Sequence, residues 1–289
     1  MTALLIALTM SQDIFPVVDG RVDSAVKSAF AEFKTLKPEQ LAVTFIDLSK
    51  GEQEDYRGNE PFYPASVIKV FWLAFAHHRM ETGFLKQTPE LDRAIADMIK
   101  DSSNDATGLV VDMTTGTTGG PELPPEEFEA WTQKRQAANE WFRSIGINGQ
   151  NVCQKTWGDG PYGRERQSYG AKFENRNSLR TNGTARLWAE IAKGTLVSEK
   201  RSKAMLAVLR RDNPADKKTS DGQASDYIGA ALPKGATLYS KAGWVSNERH
   251  DSALVEMPDG RRLILVIFTK GHSNEQRLIP YIAGKLLGS

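Results

Sequence analysis

The chain has a single cysteine, Cys153, in 289 residues, so it has no partner for an internal disulfide. Histidine is almost as scarce. Of the four, His77 and His78 are adjacent and face different sides of a helix, while His250 and His272 lie far along the chain. That spacing makes no metal site, and neither a metal nor another cofactor is expected. Charge of one sign is also lacking. The 37 lysines and arginines stand against 36 acidic residues, so no global field favours nucleic acid or an anionic membrane surface. Long hydrophobic runs are missing too. Residues 3–10 are mostly apolar but fall well short of the roughly 20 needed to span a bilayer, and no basic segment precedes them. They read either as the remainder of a signal segment or as a packed terminus, and no integral membrane span is expected. What is present is a 40% hydrophobic chain long enough to bury a large core, with a small neutral or anionic molecule as the compatible partner.

Periodicity and turn residues predict a helix over 22–33, a strand over 41–47, a turn at 49–52 and a returning strand at 54–57. A strongly apolar helix over 67–83 follows, with Gly83 as its C-cap, then short helices over 91–99 and 104–111. A loop rich in Thr, Gly and Pro at 114–125 leads to a helix over 126–144. Residues 145–180 lack periodicity and read as an unusually long connection, of the kind that is often functional. Helices over 183–193 and 198–210 precede strands at 236–243, 251–256 and 262–268. Pro258, Asp259 and Gly260 turn the last hairpin, and a helix over 273–287 closes the chain. Strands at both ends with helices between them imply an α/β fold of the α+β type: a mainly antiparallel sheet built from both termini, flanking helices and an all-helical lobe. The expected division is an extension at 1–21 and one domain at 22–289. Its sheet lobe is 22–65 plus 211–289, its helical lobe is 66–210, and the active site lies in the cleft between them.

Ser66 and Lys69 form S-x-x-K where the extended segment 61–65 turns into the apolar helix. Four residues are just over one helical turn, so both side chains share a face and one can deprotonate the other. A serine hydroxyl needs such a base, and an amine becomes one when burial or nearby positive charge lowers its pKa. Ser24 and Lys27 have the same spacing, but they sit in an amphipathic helix with no strand leading into it and read as a solvated face. Two more motifs follow. Ser102, Ser103 and Asn104 make S-x-N before a helix, and Lys241, Ala242 and Gly243 make K-x-G at a strand end, followed by Trp244. Taken singly, Ser102 and Asn104 could merely cap the helix and Lys241 could be a surface strand residue.

In this order the three motifs make the chain resemble the penicillin-recognising serine hydrolases, the class A β-lactamases most closely. The runs EPFYPASVIKV, ALPKGATLYSKAGW and DSALVEMPDGRRLILVIFTKG are similar to that family's lead into the nucleophile helix, its approach to the third motif and its closing hairpin. The likeness covers about residues 22–287. It implies Ser66 as nucleophile, Lys69 as base for acylation and Ser102 as proton relay to the leaving nitrogen. It also implies Asn104 as holder of the substrate's side-chain amide and Lys241 as the charge that attracts a carboxylate. Backbone N–H groups of Ser66 and Trp244, the residue after Gly243, would form the oxyanion hole, worth about 3 kcal/mol in the transition state.

The chain departs from that pattern in three places. Ala242 replaces the usual Thr or Ser hydroxyl that binds the substrate carboxylate, for which Ser246 or Arg249 could substitute. Ser66 and Ser102 are only 36 positions apart, fewer than class A enzymes usually have, and the stretch from Ser102 to Lys241 is longer. No E-x-x-x-N follows Trp157, leaving Glu165 as first candidate for the carboxylate that activates the deacylating water and Glu174 as second. Either could instead be an exposed loop ion pair. The leading expectation is a β-lactamase-like serine hydrolase that opens a β-lactam amide through an acyl-serine. A D-Ala-D-Ala carboxypeptidase, amidase or esterase of the same fold is one alternative, and a penicillin-binding domain that acylates without turnover is the other. The resemblance further implies a monomer that acts on a small β-lactam or D-Ala-D-Ala-like peptide in the periplasm or outside the cell.

Overall fold

The computed structural model describes residues 20–288. The apolar stretch 3–10 and nearly all of the extension at 1–21 lie outside the described residues. Six antiparallel strands form one sheet: β1 (Leu41–Asp47), β2 (Glu52–Tyr56), β3 (Arg210–Arg211), β4 (Thr237–Trp244), β5 (Glu248–Glu256) and β6 (Arg262–Lys270), in spatial order β2-β1-β6-β5-β4-β3. The N-terminal hairpin pairs with the C-terminal one through β1 and β6, with Leu41 opposite Thr269 and Asp47 opposite Leu263. The expected sheet from both termini is therefore present. β3, too short for any periodic signal, extends it at one edge.

Strands β1 and β6 are apolar at most positions because both faces of the sheet are covered there. On one face Ala42, Ile46, Ile264, Val266 and Phe268 join the core formed with the helices of the middle of the chain. On the other, Leu41, Val43, Phe45, Leu263, Leu265 and Ile267 pack with helices α1 (Arg21–Glu32) and α10 (Leu278–Leu287). The successive residues of β1 thus alternate between two cores, as a period of two requires.

Helix α2 (Ile68–Glu81) is buried from Ile68 through His77, consistent with a sequence apolar on every side. Around it lie α3 (Pro89–Lys100), α4 (Asn104–Thr115), α5 (Pro125–Ser144) and α8 (Glu199–Leu209), while α7 (Thr181–Lys193) packs against β1, β5 and β6. The connection at 145–180 is not wholly irregular. It contains a short helix, α6 (Gly163–Ser168), and is tied down by bridges pairing Asn151 with Ser178 and Phe62 with Leu179. A further four-residue helix, α9 (Gly222–Ser225), precedes β4. The closing helix begins at Leu278 rather than at residue 273, because the segment before it spends its hydrogen bonds on turns: the Glu275 N–H donates to the His272 carbonyl and that of Gln276 to Asn274.

Candidate active site

Ser66 sits in a single 3₁₀ turn, Ala65–Val67, that enters α2. Ala65, the residue before it, has φ +46°, a left-handed conformation that costs a residue with a side chain about 1 kcal/mol or more and collects at functional sites. The approach is held from behind by His250. Its Nε2 lies 2.8 Å from the Tyr63 carbonyl, and its Nδ1 accepts the Thr269 N–H at 3.0 Å, which leaves Nε2 as the protonated nitrogen donating to Tyr63. Burial lowers the His250 pKa to about 4, so the ring stays neutral and this tautomer persists. The ring also packs edge-on to Phe62.

Lys69 is fully buried in the first turn of α2. Its Nζ donates to the Ser102 carbonyl at 2.5 Å, to Ser102 Oγ at 3.0 Å and to Asn104 Oδ1 at 2.9 Å. Burial lowers its pKa to about 7, with no carboxylate bonded to it to offset that shift. The backbone of Ser102 is bent to make this contact, with φ +56°. The capping of α4 falls to the middle residue of the motif: Ser103 Oγ accepts the Ala106 N–H at 3.1 Å. Ser102 and Asn104 are thereby both free to turn toward Lys69.

The end of β4 closes the other side. A Cβ placed on Gly243 would lie 2.6 Å from the Ser66 nitrogen, 2.8 Å from that of Val67 and 3.0 Å from the Pro64 carbonyl, so only glycine lets this strand back onto the nucleophile turn. Lys241 is fully buried. Its Nζ donates to Gln223 Oε1 at 2.5 Å and to the Ala242 carbonyl at 2.7 Å, and burial, then the charge of Lys69, lowers its pKa well below the ordinary lysine value. Trp244 is 67% exposed at the mouth. Arg249, opposite Trp244 in the β4–β5 ladder, is buried; its Nη2 donates to the Asp226 carbonyl at 3.0 Å and its guanidinium lies 4.1 Å from the centre of the Tyr227 ring. Ser246 is exposed.

Glu165 lies apart from this group. It is buried on α6, with Oε1 2.5 Å from Arg135 Nη2 and 3.1 Å from Lys155 Nζ, and the same two cations reach Asp112 at 3.0 and 2.6 Å. Among the described residues no hydrogen bond or ion pair links it to Ser66, Lys69 or Ser102. Glu174 is exposed and accepts the Lys172 N–H. Sequence reasoning missed Gln223, the acceptor for Lys241, and the cations Arg135 and Lys155. None belongs to a motif, and their partners are 10 to 43 positions away in the chain.

Ser66, Lys69, Ser102, Asn104, Lys241 and Gly243 thus converge, with a buried amine whose pKa lies near 7 bonded to Ser102 and Asn104, three positions along the chain from a serine on a strained turn. That arrangement can run acyl transfer. The sequence profile of the β-lactamase enzyme family matches residues 22–92 and 86–287. None of the curated protein sequences compared matches the chain. Among solved structures it is similar to PBP-A at 18% identity, with a TM-score of 0.67 over 95% of this chain and 97% of that one. A β-lactamase from Sphaerobacter thermophilus gives 18% identity and 0.65 over 93% and 97%, and one from Chitinophaga pinensis 16% and 0.67 over 93% and 98%. At these identities the structural likeness speaks for the fold.

Proposed function

We propose that the chain, which belongs to the β-lactamase enzyme family and is a hydrolase of that type, opens a β-lactam amide by acylation of Ser66 and hydrolyses the resulting ester slowly. The observation that carries this reading is the buried Lys69 amine, at a pKa of about 7, hydrogen-bonded to Ser102 and Asn104 and free of any carboxylate partner. Its neutral form takes the Ser66 Oγ proton as Oγ bonds to the carbonyl carbon. The C–N bond then breaks and the proton passes through Ser102 to the leaving nitrogen. The N–H groups of Ser66 and Trp244 hold the oxyanion, and Asn104 receives the amide on the acyl side.

Slow hydrolysis follows from Glu165. Its Oε1 is committed to Arg135 and Lys155, and among the described residues no hydrogen bond or ion pair ties the carboxylate to Ser66, Lys69 or Ser102, where the water would have to be activated. A D-Ala-D-Ala carboxypeptidase or amidase is the second reading, favoured by Ala242 and by a Lys241 amine turned inward onto Gln223. A solved acyl-enzyme complex of a PBP-A variant with penicillin G, 18% identical with a TM-score of 0.68, fits a lactam as the acylating substrate. We place the enzyme in the periplasm or outside the cell by family, and no helix among the described residues is long and apolar enough to cross a membrane.

Intact-mass analysis with a chromogenic cephalosporin tests this. The wild type is expected to gain one drug-derived mass quickly and to lose it slowly, and Ser66→Ala to gain none. An adduct that persists in Ser66→Ala would remove Ser66 as nucleophile.

A further inference from the structure

A cleft of about 1040 Å³ runs from Lys100 and Asp101 past Gln223 to Trp244 and Arg249. That is far more room than one amino-acid leaving group fills. The cleft borders the catalytic group at three points: Asp101 precedes Ser102, Gln223 accepts from Lys241, and Trp244 follows Gly243. Its acidic residues are largely engaged. Asp221 pairs with Arg211 at 2.6 Å, Asp212 with Lys217 at 3.1 Å, and Asp226 accepts from Ser225 at 2.7 Å. Its cations are not. The Arg210 and Lys100 side chains are exposed and make no hydrogen bond or ion pair among the described residues, and of the acids only the Asp101 side chain, on the rim, is equally uncommitted.

Arg249 supplies an independent observation. It is 6% exposed, lines the cleft, and its buried Nε has no hydrogen-bond partner. A buried donor left unpaired costs about 1–3 kcal/mol, which a bound acceptor would recover. Lys241 cannot serve instead, since its amine is spent on Gln223 and Ala242. Stacked on Tyr227, the Arg249 guanidinium is held rigidly, which suits recognition of a carboxylate.

We propose that this cleft is a subsite for an extended acidic leaving group: a D-amino-acid peptide that continues at least one residue past the scissile amide and carries carboxylates to Arg249 and Arg210. The inference rests on the acyl-transfer reading, because it assigns the leaving side of that reaction. It adds to the β-lactam a larger substrate for the same serine, an amide within or near the end of an acidic peptide.

Calorimetric titration of Ser66→Ala, which cannot be acylated, separates this idea from the chemistry. The probes are N-acyl-D-alanyl-D-alanine extended by D-glutamate, extended by D-lysine, or not extended. The D-glutamate peptide is expected to bind about tenfold more tightly than the other two, equivalent to about 1.4 kcal/mol. In Ser66→Ala with Arg210→Glu, a surface change that spares the buried Arg249, the preference should pass to the D-lysine peptide. Equal affinities, no binding, or an order unchanged by Arg210→Glu would each overturn the subsite. Loss of the cephalosporin adduct in the wild type would instead overturn the acyl-transfer reading.

Discussion

Raising the pH from about 6 to about 8 should accelerate acylation of Ser66 roughly tenfold, because Lys69 acts only in its neutral form. With its pKa lowered to about 7 by burial, roughly a tenth of the amine is neutral one pH unit below that value and roughly nine tenths one unit above it. The profile should be a single step that flattens at higher pH. Stopped-flow measurement of second-order adduct formation, at saturating buffer and constant ionic strength, reads it directly. A flat profile, or a step centred above pH about 9, would refute the assignment of Lys69 as base. Stability carries the same group with a defined sign. The ordinary lysine value of 10.5 applies to the unfolded chain, so between about 7 and 10.5 the unfolded state binds more protons and stability rises with pH. The full difference is about 5 kcal/mol at about 1.4 kcal/mol per unit. Below pH 7 that penalty is fully present, and Lys69→Met should flatten the slope in urea melts above it.

Gly243→Ala should reduce acylation at least about a hundredfold while the protein remains folded, since the new Cβ would strike the Ser66 and Val67 nitrogens and displace the oxyanion donors; adduct kinetics alongside circular dichroism check it, and near-normal rates would show that the strand can move. Ser103→Ala should cost about 1 kcal/mol of stability through the lost cap and leave adduct formation nearly intact, whereas Ser102→Ala should slow it by about 100-fold with little loss of stability. The opposite pattern would exchange their roles. Glu165→Gln should lower stability by about 3 kcal/mol in chemical melts, by leaving Arg135 and Lys155 short of a charge in a buried site. It should not lengthen the lifetime of an acyl-enzyme already slow to hydrolyse. A markedly longer lifetime in that variant would make Glu165 the deacylating base.

The sheet was readable because its strands carry strong local signals. Leu41–Asp47 is a mainly apolar run whose ends coincide with the expected strand, and the Pro258–Gly260 turn marks the hairpin of β5 and β6. The three motifs were readable for a different reason: their order and flanking contexts carry information that each lacks alone. What could not be read is how the long-range partners arrange themselves. Nothing in S-x-N says that Ser103 caps and so frees its neighbours. Nothing near Lys241 announces Gln223 as its acceptor. The connection at 145–180 gave no periodicity because its order comes from side chains such as Asn177, which accepts from the backbone of Cys153 and Gln154, and not from a repeating pattern. The ion cluster around Glu165 has the same character, joining α4, α5 and α6 through residues with no sequence relation.

The pairing of β1 with β6 sets an order of events during synthesis. The β1–β2 hairpin leaves the ribosome early, yet the strand that covers its inner edge, ending at Lys270, is among the last segments made. Until then β1 presents an open edge with apolar residues on both faces, a hazard for pairing with the wrong chain. β4 arrives late as well, and it is Gly243 on that strand that backs the Ser66 turn. A chain interrupted anywhere before its final hairpin would therefore hold the serine and the lysine without the wall that makes them reactive, so chemical competence is withheld until the molecule is all but complete.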